Sequence, residues 1–262
     1  MTAGTDAPLR LEEDAVDVWL TSLAAVDDDR LMGYAPLLSE AERIRWRRFL
    51  VRDAADQYLV GRALLRTTLS RYAPVPAKAW VFTTNAYGCP YVSEPASFRA
   101  LRFNLSHTAG LVACAVTSGG EVGIDVENTA RQVDPLELAP TVFARPEIEQ
   151  VAATPQTDRR ALFFAYWTLK EAYIKARGLG VSLALDGFWF DLDGAVPRIH
   201  FAAGCPDWPE RWHFGRWQPT PSHALALAVA TPSQRAPRIR LRWVTPDEPG
   251  GDRATAGQII AP

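Results

Sequence analysis

Two strand-like segments separated by a diglycine constrain the fold of this 262-residue chain more than any other feature. Residues 111–117 are almost entirely apolar, and residues 121–127 alternate apolar side chains with a glycine and acids. Gly119 and Gly120 mark a turn between the two segments. Because a period of two is typical of a strand with one buried face, residues 121–127 are a predicted strand, and the compact apolar run before the turn is another.

Helical patterns lie on both sides of these strands. Residues 53–70 repeat apolar side chains at helical spacing, and residues 158–177 do so up to Gly178, the residue type that commonly ends a helix. Ser39 followed by Glu42 three residues later predicts a capping box at the start of a shorter helix. The arrangement of elements indicates an α+β fold, as one large domain or two small ones.

The composition argues against several functional classes. The formal net charge is −2, whereas nucleic-acid-binding proteins usually carry a basic excess. Cys89, Cys114 and Cys205 are far apart and form no CxxC pair, which argues against zinc and against a disulfide framework. The N-terminus has no secretory signal pattern, and no apolar stretch reaches the roughly 20 residues of a membrane span. We expect a soluble, cytoplasmic protein that binds neither nucleic acid nor membranes.

The strand at 121–127 carries the first chemical signal. Asp125 and Glu127 are two residues apart, so their side chains share a face at a Cα separation of about 6.6 Å. Two carboxylates that converge in this way can hold one cation, and hard oxygen ligands suit Mg²⁺. The alternative is a solvent-exposed acidic face on a half-buried strand. Gly123 favours the site, because a glycine permits close approach of another backbone.

The helix at 158–177 carries the second signal. Glu171 and Lys175 are four residues apart and share a helix face. The alternative is a surface salt bridge, which contributes only a few tenths of a kcal/mol. Aromatic residues on several sides, however, predict a largely buried helix. A buried charge needs a partner or a metal, so Glu171 is a candidate metal ligand or base and Lys175 a candidate charge partner or acid.

Two further segments are candidates for phosphate contact. Ser106 and His107 precede a turn, where a histidine binds phosphate or acts as an acid or base, or is simply a surface or capping residue. Ser106 lacks the G-x-S-x-G context of a hydrolase nucleophile. An arginine cluster is either a solvated basic face or a phosphate-binding surface, and it comprises Arg43, Arg45, Arg47, Arg48 and Arg52. The nucleotide-binding loops GxxxxGK[ST] and GxGxxG are absent from the sequence.

Together these segments resemble the Sfp-type 4′-phosphopantetheinyl transferases. The family strand [VI]-G-[IV]-D-x-E is matched by residues 122–127. The family helix, aromatic-[ST]-x-K-E-[SA]-x-x-K, is matched at every defined position by residues 167–175. The Asn-x-Ser-His motif is matched by residues 104–107. The three motifs occur in this order, and the resemblance covers roughly residues 15–230.

The resemblance implies the 4′-phosphopantetheinyl transferase fold, a pseudo-dimer of two similar α/β lobes with coenzyme A in the cleft between them. We expect an N-terminal lobe at 15–118, a C-terminal lobe with the metal site at 119–232, a mobile tail at 245–262 and a monomer. A weak internal similarity of the sequence is consistent with two related lobes, since Ser106-His107 and Ser222-His223 each precede an apolar strand. Chance is the alternative explanation for so short a match.

The resemblance also implies residue roles. Mg²⁺ would be held by the coenzyme A pyrophosphate together with three carboxylates, those of Asp125, Glu127 and Glu171. Glu171 would also act as general base, directly or through a metal-bound water, and Lys175 would stabilise or protonate the leaving group. The expected contacts to coenzyme A are Arg48, Gly88, Asn104, Ser106 and His107, of which Ser106 and His107 would contact the 3′-phosphate.

One position departs from the family pattern. A lysine often follows the glycine of the family's Gly-Lys-Pro turn, and here Cys89 stands in its place. Its side chain supplies no charge to a phosphate, although the backbone of the turn can still bind. Arginines of the cluster are candidates to compensate.

The reaction implied is transfer of 4′-phosphopantetheine from coenzyme A to a serine of an apo acyl, polyketide or peptidyl carrier protein, with Mg²⁺ required and 3′,5′-ADP released. Two rival functions are a Mg²⁺-dependent phosphohydrolase and an inactive coenzyme A-binding or carrier-docking module. The first does not explain the aromatic helix, and the second would be expected to lose Glu171 or Lys175, both of which are present.

Overall fold

The computed structural model describes residues 8–233 and 235–246. Of the predicted C-terminal tail, only Thr245 and Pro246 are among them, and the rest lies outside the described residues. No helix within these ranges has the length and apolar character of a membrane span.

Helices and strands follow one another along the chain as the α+β prediction requires. Those before the diglycine are β1 Ala15–Ser22, α1 Asp28–Tyr34, α2 Glu40–Trp46, α3 Arg52–Tyr72, β2 Val81–Thr84, β3 Pro90–Glu94, β4 Leu101–Thr108 and β5 Leu111–Ser118. Those after it are β6 Glu121–Asn128, α4 Pro135–Val142, α5 Arg145–Ala153, α6 Gln156–Arg177, β7 Phe188–Asp191, β8 Arg198–Phe201, β9 His213–Thr220, β10 His223–Ala230 and β11 Arg238–Trp243.

The described residues divide into two compact units. The first unit contains residues 8–83, 91–118 and 238–246. The second unit contains residues 84–90, 119–233 and 235–237. The chain therefore enters the second unit first at 84–90 and again at the diglycine, and its last described strand returns to the first unit.

In the first unit, α3 packs on a four-stranded sheet of order β11-β1-β5-β4. Strand β1 pairs in parallel with β11, and the other neighbours in this sheet are antiparallel. Gly61 in α3 lets the helix approach β4, because a Cβ at this position would lie 3.2 Å from the Leu105 Cδ2 atom. The hydrophobic core of the unit lies between helix and sheet and contains Trp19, Leu64 and Val116.

The predicted capping box at the start of α2 is confirmed. The Ser39 hydroxyl accepts a hydrogen bond from Glu42 N at 3.3 Å, and the Glu42 carboxylate accepts one from Ser39 N at 2.8 Å. Glu42 also forms ion pairs with Arg66 at 2.7 Å and Arg62 at 3.5 Å. The cap therefore connects the short helix to the long helix α3.

In the second unit, α6 packs on an antiparallel sheet of order β6-β10-β9. Aromatic residues from several sides of α6 contribute to the core, as the sequence predicted, among them Phe163, Phe164 and Tyr173. Gly178 ends the helix with a left-handed φ of 60°. The glycine predicted to terminate the helix is therefore confirmed in that position.

Ser106 and His107 precede a turn, as expected, and the pairing of β4 with β5 includes both residues and continues to Thr108, before the turn at 109–110. Strand β3 has no alternation of apolar residues that would have revealed it; Val92 is its buried residue. Local patterning thus located the long elements but missed β3, one strand of the two-stranded β2-β3 sheet.

Candidate active site

Helix α6 packs antiparallel to strand β6, and three acidic side chains lie where the two elements meet. Two hydrogen bonds connect the helix to the strand at this point. The Trp167 indole donates a hydrogen bond to Glu127 Oε1 at 3.0 Å. Eight residues further along α6, the Lys175 ammonium donates to Asp125 Oδ1 at 2.6 Å. Glu171 lies midway between these two helix residues, on the same face. The spacing therefore brings Glu171 next to both carboxylates of the strand.

Gly123 explains how the helix reaches this position. It lies on the same face of β6 as Asp125 and Glu127. A Cβ here would overlap the backbone of α6, at Ala172 O and Ala176 N, and would lie 3.0 Å from Ala176 Cα. The close backbone approach expected of this glycine is confirmed, and it allows short side-chain contacts from α6 to the acids.

The acidic groups are held in an electrostatically unfavourable arrangement. Burial raises the pKa of Glu171, the charges of Asp125 and Glu127 raise it further, and Lys175 only partly opposes them. Burial and the charge of Asp125 likewise raise the pKa of Glu127, against the lowering effects of Arg131, Trp167 and Lys175. Two of the three carboxyl groups thus resist ionisation, which marks a site with more negative than positive charge.

Glu171 differs from its neighbours in its hydrogen bonding. In the part of the chain that the structure describes, its carboxylate accepts no hydrogen bond. Its oxygens are therefore available to a ligand or a proton.

Lys170, the lysine of the helix motif, is a brace for α6 and lies outside this acidic group. Its ammonium forms an ion pair with Glu147 at 2.8 Å and donates to Phe188 O at 2.7 Å. Glu147 also accepts from Ala144 N and Phe190 N at 3.0 Å each. Both charged side chains are almost completely buried. The pair locks α6 to α5 and β7 and so fixes the helix that carries Glu171.

Sequence reasoning missed the roles of Trp167, Lys170 and Glu147. The contact of Trp167 could have been predicted from its spacing. Trp167, Glu171 and Lys175 follow one another at intervals of four residues and so share one face of the helix. Glu147 gave no such signal, since it lies 23 residues before its partner on a different helix.

The expected coenzyme A contacts in the first unit lie along β4. Asn104 and Ser106 are buried on one face of the strand. His107 is exposed on the other face, and its Nδ1 lies 3.2 Å from Gln57 Oε1 of α3. Ser106 and His107 side chains therefore point to opposite faces of the strand, because they are consecutive residues.

Arg48 lies in the turn after α2, and its backbone N donates to Arg45 O at 3.1 Å. Its side chain is exposed and forms no ion pair within residues 8–233 and 235–246. Two other arginines of the cluster are engaged, since Arg43 pairs with Glu40 and Arg52 with Asp28. Arg48 thus keeps its positive charge available at the surface.

Gly88 lies at the tip of the β2–β3 hairpin, in the second unit, with a φ of +85°. No atom lies within 4 Å of the position that a Cβ would take. Glycine is required here by the left-handed backbone and not by crowding. The next residue, Cys89, is only partly buried.

The donor set around Glu171 fits Mg²⁺ in chemistry and charge. Carboxylate oxygens are the ligands that Mg²⁺ prefers, and the raised pKa values of Glu127 and Glu171 indicate that a cation would relieve repulsion. Nevertheless, no group of three or more His, Cys, Asp or Glu side chains within the described ranges is arranged closely enough to hold a metal ion. The three carboxylates therefore suit Mg²⁺ by their chemistry, but their side chains would have to move closer together to bind it. In the structure, the Lys175 ammonium lies next to Asp125.

Comparison with known proteins gives a consistent assignment for both halves of the chain. Residues 121–230 match the model of the 4′-phosphopantetheinyl transferase superfamily. Residues 27–119 match the model described as the 4′-phosphopantetheinyl transferase N-terminal region. The crystal structure of Thermotoga maritima holo-[acyl-carrier-protein] synthase aligns with a TM-score of 0.37 and 23% identity, over 42% of this chain and 62% of that chain.

Individual relatives extend across most of the chain. The 4′-phosphopantetheinyl transferase HetI of Nostoc sp. is 33% identical over 174 residues, which is 66% of this chain and 73% of the relative. The transferase Sfp of Bacillus subtilis is 29% identical over 212 residues, 80% of this chain and 88% of the relative. A further Bacillus subtilis transferase is 30% identical over the same shares. The chain therefore belongs to the Sfp-type 4′-phosphopantetheinyl transferases.

Proposed function

We propose that this enzyme transfers 4′-phosphopantetheine from coenzyme A to a serine of an apo carrier protein and releases 3′,5′-ADP. The observation that carries the proposal is the position of Glu171 between Asp125 and Glu127, with a raised pKa and no hydrogen bond within the described residues. Family membership supports the reaction class. The acyl, polyketide and peptidyl carriers are the candidate acceptors.

We further propose that Asp125, Glu127 and Glu171 hold Mg²⁺. When bound, Mg²⁺ would neutralise negative charge on the pyrophosphate of coenzyme A. The surplus of carboxylates over cations in this cluster supports the assignment. Lys175 is close enough to Asp125 to compensate part of the charge when no divalent cation is bound.

Glu171 is proposed as the general base. The serine oxygen forms a bond to the β-phosphorus, the bond from that phosphorus to the bridging oxygen breaks, and Glu171 takes the serine proton. A raised pKa makes this carboxylate a stronger base than an ordinary glutamate, provided that it is ionised. Its lack of a hydrogen bond within the described residues leaves an oxygen for the incoming proton.

Lys175 is proposed to assist the leaving group. The 3′,5′-ADP departs with the bridging oxygen and gains negative charge as the bond breaks. An ammonium one helical turn from Glu171 can stabilise that charge or donate a proton to it. The side chain is about one-quarter exposed, at 27%, so it is accessible to a ligand.

Binding of coenzyme A is assigned to groups in both units, each considered by itself. In the first unit, His107 and Ser106 are proposed to contact the 3′-phosphate, with Asn104 on the same strand and Arg48 as a further cation. In the second unit, the backbone at Gly88 is proposed to contact phosphate. The exposure of His107 and Arg48 supports side-chain contacts, whereas buried Ser106 is better suited to a backbone contact.

We also propose that the two units descend from one α/β unit, with lobes at 15–118 and 119–232 that form a pseudo-dimer within a single monomeric chain. Each unit has a long helix, α3 or α6, packed on strands that are mainly antiparallel. The return of β11 to the first unit is a departure from a simple two-part division.

The arginine cluster has a second candidate role in docking of an acidic carrier protein. Leu50 beside Arg48 is 100% exposed, and Phe49 and Val51 are also exposed. Apolar side chains next to an exposed cation suit a partner with an acidic, partly apolar surface. Titration of an Arg48→Ala variant separately with coenzyme A and with carrier would distinguish the roles, since only one affinity should fall.

The reaction is tested by intact-mass spectrometry of apo carrier proteins incubated with enzyme, coenzyme A and Mg²⁺, with EDTA as the control. We expect the carrier to gain the mass of one phosphopantetheine group only when Mg²⁺ is present. Absence of a gain on acyl, polyketide and peptidyl carriers would contradict the proposal. Release of phosphate or ADP without carrier modification would favour the phosphohydrolase alternative.

A further inference from the structure

The turn between β2 and β3 is organised around the side chain of Asn85. Its Oδ1 accepts hydrogen bonds from Tyr87 N and Cys89 N, each at 2.9 Å. The backbone adds bonds from Asn85 N to Cys89 O at 2.9 Å and from Gly88 N to Asn85 O at 3.1 Å. Asparagine is suited to this position because its short amide reaches the backbone two residues further on. The side-chain oxygen therefore sets the conformation of the turn.

The other end of the same amide binds α6. Asn85 Nδ2 donates to Gly178 O at 2.8 Å, and both residues belong to the second unit. A Cβ at Gly178 would lie 3.2 Å from the Cβ and Sγ atoms of Cys89. A Cβ at Gly180 would lie 3.3 Å from Tyr87 O. Two glycines with left-handed φ angles thus give the turn direct access to the end of the helix.

This contact links two parts of the proposed site. Gly178 follows Lys175 by three residues and Glu171 by seven, or less than one helical turn and about two turns. The turn carries Gly88, whose backbone is the proposed phosphate contact. Because Cys89 contributes no charge where relatives often have a lysine, binding by the turn depends on the placement of its backbone. The amide of Asn85 fixes that placement relative to α6.

We propose that Asn85 is a positioning residue that docks the Asn85–Cys89 turn onto the C-terminal end of α6 and thereby sets coenzyme A affinity. The proposal rests on the proposed function, because it assigns the turn to coenzyme A. Asn85 acts through the turn backbone and contacts no reacting atom. Docking itself is a separate structural claim, which the thiol of Cys89 reports without any catalytic assay.

Two substitutions at Asn85 separate docking from turn formation. Asn85→Asp keeps a side-chain oxygen that accepts hydrogen bonds from Tyr87 N and Cys89 N. It replaces the donor to Gly178 O by a second oxygen, which that carbonyl oxygen repels. Asn85→Ala removes both functions. Ser93→Ala is the matched control, because it deletes one exposed hydrogen bond, to Val81 O at 3.0 Å, elsewhere on the same hairpin. Thermal unfolding of all three variants verifies that they are folded.

The first readout is steady-state transfer to a carrier protein. We expect both Asn85 variants to raise KM for coenzyme A about tenfold, because loss of the hydrogen bond to Gly178 O releases the turn from α6. KM for the carrier should be unchanged, and Ser93→Ala should resemble the wild type. An Asn85→Asp variant with wild-type KM for coenzyme A would overturn the proposal, as would an equal rise in both KM values.

The second readout is the alkylation rate of Cys89 by iodoacetamide, followed by peptide mapping because Cys114 is buried and Cys205 partly exposed. We expect both Asn85 variants to react several-fold faster at Cys89 than the wild type. An unchanged rate in Asn85→Asp would show that the amide does not hold the turn on α6. If the wild type performs no transfer but this rate responds as expected, the proposed function fails while the docking claim stands.

Discussion

Buried charges are treated differently in the two units of this enzyme. In the first unit, buried Asp17 accepts a hydrogen bond from Tyr72 at 2.6 Å and forms an ion pair with Arg240. In the second unit, Asp125, Glu127 and Glu171 share Lys175 and a distant contact to Arg131, which lies 3.9 Å from Glu127. One acid with a close hydrogen-bond donor and a cation of its own contrasts with three neighbouring acids whose mutual repulsion raises the pKa of Glu127 and Glu171.

The pKa directions express the same difference. Burial alone would raise the pKa of Glu42 in the first unit, but the hydrogen bond from Ser39 and the charges of Arg66 and Arg62 lower it overall. The pKa of Glu171 in the second unit is raised by burial and by its acidic neighbours. Balanced buried charge therefore stabilises a fold, whereas unbalanced buried charge indicates a site prepared for a cation or a proton.

The strongest test of this comparison replaces one acid of each kind. Glu171→Gln should reduce transfer by about 10²–10⁴-fold, because it removes the proposed base and a metal ligand. Asp17→Asn should reduce the free energy of unfolding by about 2 kcal/mol and leave turnover per folded molecule unchanged. Carrier mass spectrometry and urea unfolding measure the two effects. Near-normal turnover in Glu171→Gln would remove the basis for its assignment.

Within the second unit, the balanced pair should behave as a structural pair. Lys170→Met leaves Glu147 buried and unpaired, so the free energy of unfolding should fall by about 3–5 kcal/mol. The double variant Lys170→Met with Glu147→Leu should recover much of this loss, since both charges are then removed. Urea unfolding provides the comparison. If Lys170→Met alone were as stable as the wild type, the structural role of the Lys170–Glu147 pair would be contradicted.

The two close-packing glycines should differ in their tolerance of alanine. Gly123→Ala places a methyl group against the α6 backbone and should reduce the free energy of unfolding by about 1–3 kcal/mol or more. Gly61→Ala meets a movable Leu105 methyl and should cost less. Equal unfolding midpoints in urea would show that α6 can shift away from the strand.

The pH dependence of stability should also separate the two kinds of acid. A carboxyl with a raised pKa favours folding below its ordinary value of 4.5, and this contribution is lost as pH rises through the raised pKa. Glu171→Gln should therefore melt at a higher temperature than wild type at pH 7 in EDTA, with the difference shrinking towards pH 4.5. A difference that grows on acidification would have the wrong sign.

The smallest expected effect concerns the departure from the family turn. Cys89→Lys should tighten binding of coenzyme A up to about fivefold, because it adds one exposed positive charge worth about 1 kcal/mol or less. Calorimetry at low and high salt tests this, since the gain should weaken with salt. Unchanged or weaker binding at low salt would show that the turn does not lie next to a phosphate.

Sequence patterns were sufficient for elements whose signal is local. The strand at 121–127 and the helix ending at Gly178 follow from alternation, helical spacing and a terminal glycine. Long-range partners gave no comparable signal. The parallel pairing of β1 with β11 joins residues more than 200 positions apart, and it depends on the whole sheet. The Asn85–Gly178 hydrogen bond spans 93 positions for the same reason.

The same distinction between local sequence signals and long-range contacts applies to the candidate site. The spacing of Asp125 with Glu127 and of Glu171 with Lys175 predicted two pairs of side chains, each on one face. The two pairs come close to each other because Gly123 lets α6 pack against the strand. The α6 residues next to Gly123, Ala172 and Ala176, are distant from it in the sequence, so local spacing does not predict this contact. Lys170 and Lys175 lie on the same helix five positions apart, yet Lys170 is paired with Glu147 and Lys175 with Asp125.

The most direct test of the account is calorimetric titration of the enzyme with coenzyme A, in Mg²⁺ and in EDTA. Wild type and Asp17→Asn should bind coenzyme A more tightly in Mg²⁺ than in EDTA. Glu171→Gln should lose most of this increment while keeping its affinity in EDTA. The same Mg²⁺ increment in Glu171→Gln and wild type would contradict the claim that the unbalanced carboxylates form the cation site.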